Sequence, residues 1–269
     1  MKPLTGKVVL ITGASRGLGV DMARAFAGKG ARLALAARSA EDLESVRKEL
    51  GSEAIAVVAD LRDLGSLRSL VTTVESSLGP VDVLVNNAGL EQVCDFESMD
   101  LDQMKAIIDT NVTGLLWLSR LIVPSMVARR SGHIVNIASL AGLNPVPHNT
   151  VYSASKHAVV GFSLSLRAEL EEHGVEVSVV CPSFVTAGMF AEWGRPAPKA
   201  VGAVDSPSVA KGVIEAVEKN KPLVTVAKGL GKIGHASFAL APGLALGTMK
   251  KTGVVRYMRE QAEINAKRG

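Results

Sequence analysis

Cysteine is nearly missing from this 269-residue chain, which carries only Cys94 and Cys181. Two thiols exclude a disulfide framework, so a reducing, cytoplasmic compartment is the expectation. No Cys/His cluster has ligand spacing, and His148, His157 and His235 stand apart, so no catalytic metal is expected. An excess of one charge is also missing. Thirty Lys and Arg against 26 Asp and Glu leave a net +4, too little and too scattered for a nucleic-acid partner, though compatible with a phosphate-bearing ligand. No uncharged stretch reaches the roughly 20 strongly apolar residues of a membrane span. The nearest, from Ile233 to Met249, is broken by Gly234, His235, Ser237, Pro242, Gly243 and Gly247. The opening residues Met1 to Lys7 show no signal-peptide architecture, so the sequon at Asn111-Val112-Thr113 is expected to stay unmodified.

Apolar material is plentiful: 47% of residues are hydrophobic and 21% charged, enough for a packed core. Val8-Val9-Leu10-Ile11 is a continuous apolar run, the mark of a strand covered on both faces of a parallel sheet. Similar runs recur at 32–36, 54–58, 81–85, 133–137 and 175–180, separated by helix-length segments such as 40–50, 64–78 and 104–129. A helix over 206–220 and a seventh strand over 222–227 follow. The alternation predicts an α/β fold, a Rossmann-like doubly wound parallel sheet of about seven strands with helices on both faces. Residues 1–228 form the expected catalytic domain, with a lid at about 183–205. Residues 229–269 form a C-terminal appendage.

Thr12-Gly13-Ala14-Ser15-Arg16-Gly17-Leu18-Gly19 follows the first strand and opens a helix. Glycines at 13, 17 and 19 permit a tight turn and let backbone approach a pyrophosphate at the positive helix end, which points to a dinucleotide. In nicotinamide-binding sheets an acid near the end of the second strand holds the adenosine ribose hydroxyls. Here the strand ends Ala36-Ala37-Arg38 with no carboxylate. Arg38 and Arg16 are placed to pair with a 2′-phosphate, which favours NADP(H) over NAD(H). Asp60, ending the third strand, suits either the adenine amino group or a cap on the following helix.

Tyr152 and Lys156 stand one helical turn apart and so share a face. A phenol is a poor base at neutral pH, but an ammonium and an oxidised nicotinamide beside it favour the phenolate. Tyr152 can then exchange a proton with a carbonyl or alcohol oxygen while hydride passes to or from the coenzyme.

With Asp60-Leu61, Asn86-Asn87-Ala88-Gly89, Asn111, Ser139 and the stretch 182–186, the chain resembles the short-chain dehydrogenase/reductase family over roughly residues 5–225. Ser139 lies 13 residues before Tyr152, as in the shorter branch of that family. The resemblance implies Tyr152 as general acid/base and Ser139 as the hydrogen-bond partner of the substrate oxygen. It implies Lys156 on the nicotinamide ribose, and Asn111 holding a water in a proton relay. It places Gly13, Ser15, Arg16, Gly17, Leu18, Gly19, Asp60, Leu61, Asn87, Ala88 and Gly89 along the coenzyme. Pro182, Val185 and Thr186 would close over the carboxamide. Pro182-Ser183 departs from the usual Pro-Gly, and serine takes positive φ less readily, so a differently shaped loop is expected there.

Met189, Phe190 and Trp193 either line an apolar substrate or anchor the lid. In the appendage, apolar Phe238, Leu240, Leu244, Leu246 and Met249 precede Lys250, Lys251, Arg256, Arg259, Lys267 and Arg268. That pattern suits packing on the same domain or a partner subunit, or, less favoured, an anionic membrane surface. The expectation is an NADPH-dependent oxidoreductase reducing an apolar ketone, aldehyde or ketoacyl group, assembled as a homodimer or homotetramer through the long helices. Its rivals are an NAD-linked alcohol dehydrogenase and a non-catalytic NADP(H)-binding sensor.

Overall fold

The structure, a computed structural model, describes residues 3–229 and 240–267. His235, Phe238 and Arg268, singled out above, lie outside the described residues. Strands β1 (Val8–Thr12), β2 (Arg32–Ala37), β3 (Ala54–Val58), β4 (Val83–Asn86), β5 (Gly132–Ile137) and β6 (Val175–Pro182) alternate with helices. Two short strands, β7 (Phe184–Val185) and β8 (Ala203–Val204), pair with each other, and β9 (Leu223–Val226) completes the main sheet. The main sheet is parallel throughout, in the order β3-β2-β1-β4-β5-β6-β9. The chain winds outward from β1 through β2 and β3, then crosses to β4 on the other side. Strand order therefore reverses between β1 and β4, which opens a crevice at their carboxyl ends.

Every residue of β1 is buried because its alternate side chains face two different cores. Val9 and Ile11 pack with α1 (Leu18–Ala27), α2 (Ala40–Leu50) and α7 (Ser206–Glu218). Val8 and Leu10 pack with α3 (Leu64–Leu78), α5 (Gly114–Ala128) and the end of α6 (Thr150–Leu170). Several helix starts are encoded locally. The Ser39 hydroxyl accepts from Asp42 N, the Asp63 carboxylate from Gly65 N and Ser66 N, and the Asp205 carboxylate from Ser208 N.

The segment expected as one helix over 104–129 is divided. α4 (Leu101–Ile108) leads into a π turn, Asp109–Thr113, before α5. The wide turn carries Asn111, whose buried side chain takes both polar groups of Leu90: Oδ1 accepts from Leu90 N (2.7 Å) and Nδ2 donates to Leu90 O (2.9 Å). Gly114 follows where a Cβ would stand 2.5 Å from the Leu61 carbonyl oxygen. By length and composition the helical run Leu101–Ala128, of mean hydropathy 1.3, matches a membrane span. In the fold its inner face, with Leu118, Ile122 and Met126, packs beneath the sheet.

A buried polar chain ties α6 to the sheet centre. Asn86 Nδ2 donates to Asn136 Oδ1 (2.9 Å) and Ser119 Oγ (3.1 Å), and Asn136 Nδ2 donates to Ser163 Oγ on α6 (2.9 Å). Beyond the sheet, α8 (Pro242–Lys251) and α9 (Val254–Ala266) follow the undescribed stretch. Val254, Met258 and Ala262 pack with Val93 and the lid residues Phe184 and Trp193, and Arg195 bridges to Glu260 (2.7 Å).

Candidate active site

A cavity of about 620 Å³ lies along the carboxyl ends of the central strands. One end is the turn between β1 and α1. Gly13 and Gly17 hold positive φ (65° and 55°), and Gly19 approaches so closely that a Cβ would stand 2.1 Å from Gly13 O. The turn is braced from β4: Thr12 Oγ1 accepts from Asn87 N (3.0 Å) and Ala88 N (3.1 Å), while Asn87 Nδ2 donates to Thr12 O (2.9 Å). Asn87 therefore shapes the turn as well as lining the cavity.

Ser15, Arg16, Leu18, Arg38, Asp60, Leu61, Ala88 and Gly89 also reach this end. Arg38 is exposed, without an ion pair among the described residues. Arg16 meets Glu192 of the lid at 2.6 Å, both side chains largely exposed, so the contact is weak and readily exchanged. Asp60 does not cap α3, a position Asp63 holds. Its carboxylate faces Arg62 (2.6 Å), which keeps it below the usual carboxylate range.

At the other end stand Ser139, Tyr152 and Lys156. Ser139 follows β5, and its hydroxyl accepts from Ala141 N (3.1 Å) and donates to Pro182 O (3.5 Å). Tyr152 and Lys156 are 8% and 3% exposed, with Lys156 Nζ 5.5 Å from the phenol ring centre and donating to Ile137 O (2.9 Å). Burial pushes the phenol up, and the charge of Glu91 adds to that; the Ser139 hydroxyl pulls the other way. Burial lowers the Lys156 ammonium to about 8. The protein's own groups thus hold Tyr152 as an acid. The lowering expected from the sequence depends on the positive charge of an oxidised nicotinamide, which would act against this burial.

Three expected residues do not line the cavity. Gly17 instead makes room for the lid, since a Cβ there would meet Gly188 Cα at 3.0 Å. Asn111 lies under the floor, bonded to Leu90 and to Ser155 Oγ (3.0 Å). Thr186 donates its N–H to Val204 O (2.9 Å) between the lid strands. Pro182 and Val185 do line it. Ser183 takes no positive φ. Its N–H bonds Val226 O (2.9 Å), and its buried Oγ has no partner among the described residues. That lone hydroxyl in the cavity wall and the glycine cradle both fit a dinucleotide with a carboxamide end.

The lid residues both line the cavity and pack with one another. Phe184 and Phe190 ring centres are 4.8 Å apart, and Trp193 contacts both and Tyr257 of α9. Sequence reasoning missed Glu91, Asn144, Asn149 and Met258, which also line the cavity, while Met249, singled out in the appendage, lines it too. A charged Glu91 two residues after Gly89 was the available signal.

The sequence profile described as short chain dehydrogenase matches residues 7–197. A ketoacyl reductase, HetN, of Nostoc sp. (strain PCC 7120) is 40% identical over 278 aligned positions, covering 100% of this chain and 97% of that protein. A variant of actinorhodin polyketide ketoreductase, solved with NADPH, has a TM-score of 0.78 at 33% identity, covering 86% of this chain and 99% of that one. A short chain dehydrogenase/reductase from Burkholderia phymatum, solved with NAD, has a TM-score of 0.80 at 27% identity, covering 89% and 96%.

Proposed function

Since this chain belongs to the short-chain dehydrogenase/reductase family, we propose that it is an NADPH-dependent reductase converting an apolar ketone, aldehyde or ketoacyl carbonyl to an alcohol. The observation that carries the reading is the meeting of Ser139, Tyr152 and Lys156 at one end of a cavity whose other end is the glycine turn. A bound nicotinamide coenzyme would supply the hydride.

The backbone N–H groups at the start of α1 would hold its pyrophosphate. Arg38 and Arg16 would take the 2′-phosphate, with Arg16 exchanging Glu192 for it. The Ser183 hydroxyl and the 182–186 backbone would hold the carboxamide. Ser139 would bond the substrate oxygen and fix it beside the Tyr152 phenol. Burial keeps that phenol protonated, as an acid for reduction must be. Lys156 would bond the ribose and return a proton to Tyr152. Both Lys156 Nζ and Asn111 Oδ1 lie within 3.6 Å of the position a Gly89 Cβ would occupy, which supports a proton relay from Lys156 past Asn111.

The test is NADPH oxidation with apolar ketones, aldehydes and quinones, wild type beside Tyr152→Phe. Turnover that falls by roughly 10²–10⁴-fold without the phenol hydroxyl, with NADPH still bound, supports the reductase. NADPH binding with no turnover by either protein shifts the reading to a sensor.

A further inference from the structure

We infer that Glu91 and Asn149 form a subsite for a neutral hydrogen-bond donor, a hydroxyl group carried by the substrate near its reacting carbonyl. The inference rests on the reductase reading and names its substrate class: a hydroxyketone with an apolar body.

Asn149 is the N-cap residue of α6, three positions before Tyr152, and an asparagine there ordinarily bonds the first free N–H groups of its helix. This one does not. Its side chain makes no cap bond, and Nδ2 donates to Glu91 Oε1 at 2.5 Å. With Nδ2 donating to Glu91, Asn149 Oδ1 is left without a partner among the described residues although Asn149 is only 3% exposed. Both residues line the substrate end of the cavity with Tyr152 and Lys156. The charge of Glu91 is felt at Tyr152 and at Lys156, so the subsite adjoins the carbonyl position.

A buried acceptor without a donor is costly, and a helix cap forgone adds to that cost. A substrate hydroxyl offers what Asn149 lacks: its one O–H donates to Asn149 Oδ1, and its oxygen accepts from the Glu91 carboxyl when that group carries its proton. An ammonium would suit Glu91 alone but would stand beside buried Lys156, and like charges in a desolvated site repel strongly. A purely apolar substrate would leave the carboxyl and the amide oxygen facing hydrocarbon. The rest of the cavity wall at this end, with Phe190, Trp193 and Met258, suits the apolar body.

The experiment compares three ketones that differ at one carbon, bearing hydroxyl, hydrogen or amine, with NADPH and wild-type, Glu91→Gln, Glu91→Leu and Tyr152→Phe proteins. The wild type is expected to show a KM for the hydroxyketone about tenfold below that for its deoxy partner, the weight of one satisfied hydrogen bond. Glu91→Leu is expected to bring the ratio near one, and Glu91→Gln, which still accepts, to keep part of it. Coenzyme binding by intrinsic fluorescence checks that each variant is folded. Equal discrimination in wild type and Glu91→Leu, or preference for the aminoketone, overturns the subsite. NADPH binding with no turnover of any of the three ketones by the wild type overturns the reductase reading instead.

Discussion

Tyr152, Lys156 and Glu91 share one dry pocket, and burial acts on each in the direction that removes charge. The phenol is raised, the ammonium is lowered to about 8, and the Glu91 carboxyl is pushed up to about 7 from its ordinary 4.5, with the Asn149 bond and Lys156 opposing. The Glu91 value has a consequence for stability. Between 4.5 and about 7 the folded chain keeps a proton that the unfolded chain has released. Stability from this group is therefore complete below its ordinary value and is lost as pH rises through the folded value. Glu91→Gln keeps an acceptor for Asn149 and cannot ionise. It should melt at higher temperature than wild type at pH 8, with a gain on the order of 2 kcal/mol, and the gap should close towards pH 5. Melting curves at the two pH values check this; a gap independent of pH would mean that Glu91 stays ionised in the fold.

The turn after β2 and the π turn after α4 each set one property of the site. At the end of β2 the chain offers Arg38 where an acid would hold ribose hydroxyls, and Ser39 caps α2 immediately behind it. Arg38→Asp should lower kcat/KM for NADPH and raise it for NADH, changing their ratio at least tenfold, because a carboxylate repels the 2′-phosphate and bonds the free hydroxyls. An unchanged ratio would remove Arg38 from the coenzyme site. The π turn brings Asn111 to Leu90, Ser155 and the neighbourhood of Lys156. Asn111→Ala would leave the Leu90 N–H and C=O unpaired. It should destabilise the fold by about 1–3 kcal/mol in denaturant titration, and should lower kcat more than it raises KM, since the substrate contacts remain. A stability equal to that of wild type would show that the π turn does not need the Asn111 bonds.

At the scale of the whole molecule, the fold presents apolar side chains that its own core does not use. Trp117 on α5 and Leu164 on α6 are 36% and 41% exposed, on helices that cover the same face of the sheet. We propose that these helices meet their copies in a homodimer or homotetramer. Leu164→Asp should then reduce the mass measured by light scattering to that of the monomer at micromolar concentration. An unchanged assembly would place the contact elsewhere. On the opposite side of the cavity, α9 joins the lid through Tyr257, Met258 and the Arg195–Glu260 pair. The lid therefore depends on a segment some 60 residues further along the chain, a distance bridged by tertiary packing alone.

The sequence by itself determined the sheet, the glycine turn and the shared helix face of Tyr152 and Lys156, because each is written in neighbouring residues. A strand covered on both faces must be apolar at every position. A tight turn with positive φ must have glycine, and a Tyr–Lys pair on one face must be one turn apart. Only the tertiary structure decided what arises between distant residues. Glu91 meets Asn149 across 58 positions, and that contact takes the Asn149 amide away from the start of α6. Asn111 reaches Leu90 across 21 positions and divides one expected helix with a π turn. The protonation of Tyr152 follows the same rule, since residue type gives the group but burial, a property of the packed whole, sets its acidity.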